Sequence, residues 1–156
     1  MQYDNLITKF YQAFSEANIH KMAECYDDNV LFKDPAFGTL QGAEVIQMWS
    51  MLLARSKGKL KITVVYASTN YQFGYVNWQA EYVFSVTGKK VINNVFSTFE
   101  FQNGLIIKHT DDFNLWVWAQ QAFGLKGYLL GWSGIFKKQL QSKFKKTLAQ
   151  YIYSKT

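Results

Sequence analysis

In this 156-residue chain, one imidazole and two carboxylates fall where they could do proton chemistry. His109 and Asp111 lie two residues apart in the run Ile106-Ile107-Lys108-His109-Thr110-Asp111-Asp112-Phe113, so on a strand they point to the same face. If that face lines a cavity, imidazole and carboxylate can share a proton and a substrate can meet both. Burial raises a carboxyl pKa and a nearby imidazolium lowers it. The balance can bring the group near working pH, as general acid–base catalysis requires. Turned outward, the same pair would only be solvated at a dimer surface. Asp34 precedes the single proline, Pro35, and is either a pocket base or the cap of a turn. Asp112 alternates to the face opposite Asp111 and reads as structural; His20, near a helix start, reads as exposed.

The elements that must position these groups follow from pattern. Residues 3–17 read as an amphipathic helix with Tyr3, Leu6, Ile7, Phe10, Phe14 and Ala17 on one face. A short second helix spans 19–26. Asp27-Asp28-Asn29 is turn chemistry, and a short strand at 30–32 ends at Asp34-Pro35. Residues 37–42 read as loop and 43–57 as a third helix, with Val45, Ile46, Trp49, Leu52 and Leu53 inward. Strands are expected at 60–71, 75–87, 90–102 and 105–116, with Asn103-Gly104 marking a hairpin because both residues tolerate positive φ. Residues 117–131 read as irregular or briefly helical. Ser133 is placed to cap a last helix over 134–153, with a stripe of Phe136, Leu140, Phe144, Leu148 and Tyr151 and with Lys138, Lys145 and Lys146 opposite.

Helices first, then an antiparallel meander, then a helix make an α+β class. The expected architecture is a cystatin-like cone: N-terminal helices packed on a curved, mainly antiparallel sheet, with an extra C-terminal helix. The expected division is an α+β domain over 1–123, then over 124–156 a Gly-rich connector and a lysine-rich helix packed on that domain or on a partner subunit.

Composition narrows the classes. Aromatic residues make up 18% of the chain, more than a core of this size needs, so some are expected to line a cavity or an interface. No run of about 18 apolar residues is present to span a membrane. The N-terminal residues lack a basic region followed by an apolar run, so no secretory signal is expected, and a lone Cys25 suits a reducing cytoplasm. No Cys/His spacing suggests a metal. The net charge is +6, yet residues 126–156 hold seven lysines and no acid, which leaves the first 125 residues at −1. The lysine-rich helix could meet anionic lipid or nucleic acid. It has no arginine and no aromatic faces alternating with its lysines, so a solvated face is the preferred reading and no nucleic-acid partner is expected.

Val30-Leu31-Phe32-Lys33-Asp34-Pro35, the glycines Gly38 and Gly42, Ile46-x-x-Trp49, and the late segment from Asn103 to Asn114 together resemble the SnoaL-like branch of the nuclear transport factor 2-like superfamily. Ketosteroid isomerases, polyketide cyclases and limonene epoxide hydrolases belong to the same superfamily. The resemblance covers roughly residues 3–123. It implies that Asp34 stands where the isomerases keep their general base. The isomerase oxyanion donors, a Tyr and a protonated Asp, fall here on Phe10 and Ser97. The hydrolase Arg-x-Asp falls on Trp78-x-Ala80, which lacks both groups. The acid/base Asp of the SnoaL-like cyclases falls on Asp111.

Those correspondences leave an apolar pocket lined by Phe10, Phe14, Phe37, Trp49, Trp78, Phe99 and Phe113. Asp111 would transfer protons there, His109 would tune or relay, and Asp34 would assist from the opposite wall. The activity this implies is cofactor-independent isomerisation, cyclisation or dehydration of a small, partly apolar, oxygenated molecule. The alternatives are a binding module for an apolar metabolite, or a dimeric structural domain. The resemblance also implies a homodimer through the outer face of the sheet.

Overall fold

The computed structural model describes residues 3–156. The chain runs α1 (Asp4–Ser15), α2 (Ile19–Ala23), β1 (Tyr26–Asp34), β2 (Gly38–Gln41), α3 (Ala43–Ser56), β3 (Lys61–Thr69), β4 (Phe73–Val83), β5 (Lys90–Gln102), β6 (Leu105–Asp112), α4 (Leu115–Phe123), α5 (Leu125–Leu130) and α6 (Gly134–Lys155). The strands form one sheet in the order β2-β1-β6-β5-β4-β3. All neighbours are antiparallel except β1 and β6, which run parallel with Phe32 opposite His109 and Lys33 opposite Thr110. The fold is α+β, with helices over one face of a mainly antiparallel sheet.

Several stretches differ from the sequence expectation, beginning with the second helix, which ends at Ala23 and leaves Tyr26 to open β1. Asp27-Asp28-Asn29 is not a separate turn but an irregularity inside β1. Tyr26 pairs with Ile106 and Leu31 with Lys108, so four residues of β1 are spanned by one of β6. The Asp27 carboxylate still makes its local bond, accepting the Asn29 amide at 2.8 Å, so turn chemistry appears as a bulge. Residues 37–42, expected as loop, contain β2, which folds back on β1 with Asp34 opposite Gly38. β6 ends at Asp112 rather than near 116, because Asn114 caps α4: its side-chain oxygen accepts the Val117 amide at 3.0 Å.

Residues 117–131, expected as irregular or briefly helical, fall in the helical hairpin α4–α5. Gly127 makes that hairpin possible, since a Cβ there would lie 1.8 Å from the carbonyl oxygen of Ala119. Where β6 stops, α4 takes its place beside β5. The Gln121 side chain accepts the Ile92 amide and donates to the Ile92 carbonyl, standing in for a strand neighbour. The last helix, capped by Ser133 on the Phe136 amide, packs back on its own chain. The Gln141 amide donates to the Pro35 carbonyl at 3.1 Å, Ser50 and Tyr151 share a hydrogen bond of 2.9 Å, and Phe144 packs on Phe37 and Trp118.

The core lies between α1, α3 and the sheet, with Phe10, Met22, Phe32, Val45, Met48, Phe99 and Ile106 almost fully buried. No described helix is long and apolar enough to cross a membrane.

Candidate active site

The inward face of β4 follows a period of two, Val76, Trp78, Ala80 and Tyr82, and the buried Phe84 continues it just past the strand. Together with β5, the end of β6, α3 and α6, that face encloses a cavity of about 180 Å³. Asp34 and Asp111 lie in its wall. Trp78, Ala80, Tyr82, Val95 and Phe113 come from the sheet side, Met48, Trp49, Met51 and Arg55 from α3, and Trp118 from α4. Lys143, Phe144 and Thr147 of α6 complete the lining. Phe14 and Phe37 also line it, whereas Phe10, Phe99 and His109 do not.

His109 sits one layer behind the cavity and is fully buried. The rings of Phe10, Tyr26, Phe32, Trp49 and Phe99 surround it at centroid distances of 4.3–6.1 Å. Asp111 therefore faces the cavity and the imidazole does not, because these rings fill the space around the histidine. Hydrogen-bond bookkeeping sets its tautomer. Trp49 Nε1–H donates to Tyr26 Oη at 3.0 Å, which directs the Tyr26 proton to His109 Nδ1 at 2.7 Å. Nε2 then carries the hydrogen and donates to Asp111 Oδ1 at 2.7 Å.

A second chain reaches the same oxygen. Trp78 Nε1–H at 2.7 Å and Tyr11 O–H at 3.2 Å both donate to Ser97 Oγ, which donates in turn to Asp111 Oδ1. Asp111 Oδ1 is thus held by two donors fixed from behind, and Oδ2 remains for the cavity. Burial pushes the Tyr11 and Tyr26 phenols well above their ordinary range, so both stay protonated donors.

Asp34 stands on β1 beside Asp111 on β6, one step beyond the Lys33–Thr110 pair. It is therefore on the same wall, not the opposite one, because β1 and β6 are paired. Its Oδ1 accepts the amides of Ala36, at 2.9 Å, and Phe37, so it does cap the β1–β2 turn. Burial nevertheless pushes its pKa up to about 7, with the negative Asp111 adding to the rise and the two amides opposing it. One residue thus fills both the turn role and a cavity position.

Tyr82 is a group the sequence reading missed. Its Oη accepts Trp118 Nε1–H at 2.7 Å, and burial raises its pKa to about 12. Its own proton is left for an acceptor in the cavity. The signal was available, since Tyr82 continues the inward register of Trp78 and Ala80. Among the described residues, no group of three or more His, Cys, Asp or Glu could hold a metal ion.

The model of the SnoaL-like domain matches residues 7–109. The chain belongs to the SnoaL-like family. No curated protein matches its sequence. Solved structures share the fold at low identity. A putative polyketide cyclase from Xanthomonas campestris is 15% identical with a TM-score of 0.64, covering 78% of this chain and 96% of that one. A protein of ketosteroid isomerase-like fold from Catenulispora acidiphila, in complex with trimethylamine, is 15% identical with a TM-score of 0.63, covering 76% and 92%. The epoxide hydrolase/cyclase-like enzyme SalBIII, which acts in pyran ring formation in the polyether salinomycin, is 13% identical with a TM-score of 0.60, covering 74% and 95%.

In this SnoaL-like chain, Phe10 packs edge-on against the His109 ring, and Ser97 serves as a donor to Asp111 rather than to a ligand. Trp78 donates to Ser97, and Ala80 leaves open space in the cavity wall. Trp118 is buried against Phe84 and Phe144.

Proposed function

We propose that this SnoaL-like protein is a cofactor-independent acid/base catalyst acting on a small, partly apolar, oxygenated molecule, by isomerisation, cyclisation or dehydration. The observation that carries the reading is the pair of neighbouring carboxylates in an apolar cavity, each held by a different set of donors. Asp111 is an acceptor fixed by His109 and Ser97; Asp34 has a pKa near 7 and so exchanges a proton readily at neutral pH. Asp111 Oδ2 removes a proton next to a carbonyl, Tyr82 donates to the oxygen that gains charge, and Asp34 returns a proton. A cavity of about 180 Å³ suits one ring, as an apolar cavity of about 150 Å³ holds benzene. The low-identity likeness to a protein described as a putative polyketide cyclase and to a cyclase-like enzyme agrees with this class of chemistry.

Exchange of the α-hydrogens of monocyclic ketones and enones for deuterium, followed by NMR, tests the reading without knowledge of the natural substrate. The wild type accelerates exchange and Asp111→Asn, still folded, does not. Equal rates in the two proteins would remove Asp111 from the mechanism. A non-catalytic binding module would bind the same ketones and exchange nothing.

The proposal includes a homodimer through the outer sheet face, where Tyr75 and Phe96 stack at 6.3 Å and Ile92 is exposed. A monomer mass by light scattering would count against that part.

A further inference from the structure

The glycines of α5 and the turn after it face inward. Gly127 and Gly131 pack on Ala119 of α4, and a Cβ on either would collide with it. Helical geometry then sends Leu125, Tyr128, Leu129 and Trp132 to the other side, at spacings of three and four. The chain thus buries glycine and exposes leucine and tryptophan. Leu125 is 73% exposed, Trp132 71% and, at the start of α6, Ile135 72%. An exposed apolar patch of this kind marks a surface meant to be covered.

The charge around the patch says what covers it. No Asp or Glu occurs after Asp112, while Lys126 lies beside Leu125 on α5 and Lys138 lies one helical turn from Ile135 on α6. The α6 face that continues from Ile135 carries Lys138, Lys145 and Lys146. Apolar and aromatic side chains rimmed by lysines match a bilayer whose headgroups are anionic, with tryptophan and tyrosine at the depth they favour. A nucleic acid would engage the lysines but gives no reason for Leu125, Leu129 and Ile135 to project.

We infer that α5 and the start of α6 form a peripheral docking surface for anionic phospholipid bilayers, with Leu125, Leu129, Trp132 and Ile135 entering the interface and Lys126 and Lys138 meeting phosphates. This surface is separate from the carboxylate cavity, and its test does not depend on catalysis.

The test is co-sedimentation of the full chain with phosphatidylcholine vesicles, with and without phosphatidylserine. Binding is expected only with phosphatidylserine and weakens as salt rises. Leu129→Glu/Trp132→Glu abolishes it, and Lys126→Glu/Lys138→Glu lowers the partition coefficient by about tenfold or more. Circular dichroism checks that both variants stay folded, and both keep the wild-type ketone-exchange rate. Brominated lipid quenches tryptophan fluorescence in the wild type and less in Trp132→Phe. Absence of sedimentation, equal binding to zwitterionic vesicles, or undiminished binding of the variants would overturn the inference. So would a dimer by light scattering that Leu129→Glu/Trp132→Glu converts to monomer, because the patch would then be a protein interface.

Discussion

Ser97 donates to Oδ1 of Asp111, the same oxygen that receives His109 Nε2–H. Ser97 itself is fully buried and accepts from Trp78 and Tyr11, so its hydroxyl is the junction between two aromatic donors and the carboxylate. Ser97→Ala leaves two buried donors without an acceptor and takes one donor from Asp111. The expected loss is about 2–4 kcal/mol by urea denaturation, since each orphaned group costs about 1–3 kcal/mol and the site relaxes in part. A loss below about 0.5 kcal/mol would mean that the donors find other partners and the chain of bonds is not maintained.

Asp34 predicts a pH dependence of stability. Its pKa is 3.8 ordinarily and about 7 in the folded chain. Between these values the folded state holds the proton more tightly than the unfolded state. Stability therefore falls as pH rises from about 4 to about 7 and is level above that. Asp34→Asn keeps the acceptor for the Ala36 and Phe37 amides and removes the buried charge. It should be more stable than the wild type at about pH 8, by up to a few kcal/mol, with the difference closing towards about pH 4. Urea midpoints across that range decide the matter; a constant difference would show that the Asp34 carboxyl is not desolvated.

What the sequence made legible follows the range of each interaction. The Asn103-Gly104 hairpin and the helical stripes are local patterns and could be read directly. The same-face relation of His109 and Asp111 follows from strand period. Whether both meet the cavity does not, because that depends on five rings drawn from α1, β1, α3 and β5. Asp34 was placed on the wrong wall because the parallel β1–β6 pairing joins residues 77 apart, such as Lys33 and Thr110, and no local signal reports it. The α4–α5 hairpin was obscured because its glycines, which lower helix propensity, are there to let two helices touch.

Tyr82 bears on whether the cavity stabilises developing negative charge. Phe10 and Ser97 supply no donor to a ligand, whereas the Tyr82 hydroxyl lies in the wall with its proton uncommitted. Tyr82→Phe is expected to lower kcat for ketone exchange on the order of 10²-fold with little change in KM, the pattern of a bond made mainly in the transition state. Loss of the acceptor for Trp118 Nε1–H should add a stability cost of about 1–2 kcal/mol. A rise in KM at unchanged kcat would instead assign Tyr82 to ground-state binding.

Ala80 tests the cavity itself. Its methyl faces inward between Trp78 and Tyr82, where a larger side chain would enter the open volume. Ala80→Phe places a ring where the proposed substrate ring would lie. In a packed core such overfilling costs about 1–3 kcal/mol. In an open cavity the added apolar surface is buried without displacing neighbours, at about 25 cal/mol per Å² in favour of folding. The expected outcome is unchanged or slightly raised thermal stability together with loss of ketone binding and exchange. Destabilisation with exchange retained would show that the space beside Ala80 is closed in solution and that the chemistry lies elsewhere. Since Asp34, Asp111 and their hydrogen-bond partners are untouched, loss of exchange in a stable Ala80→Phe protein would report exclusion of the substrate rather than damage to the carboxylates.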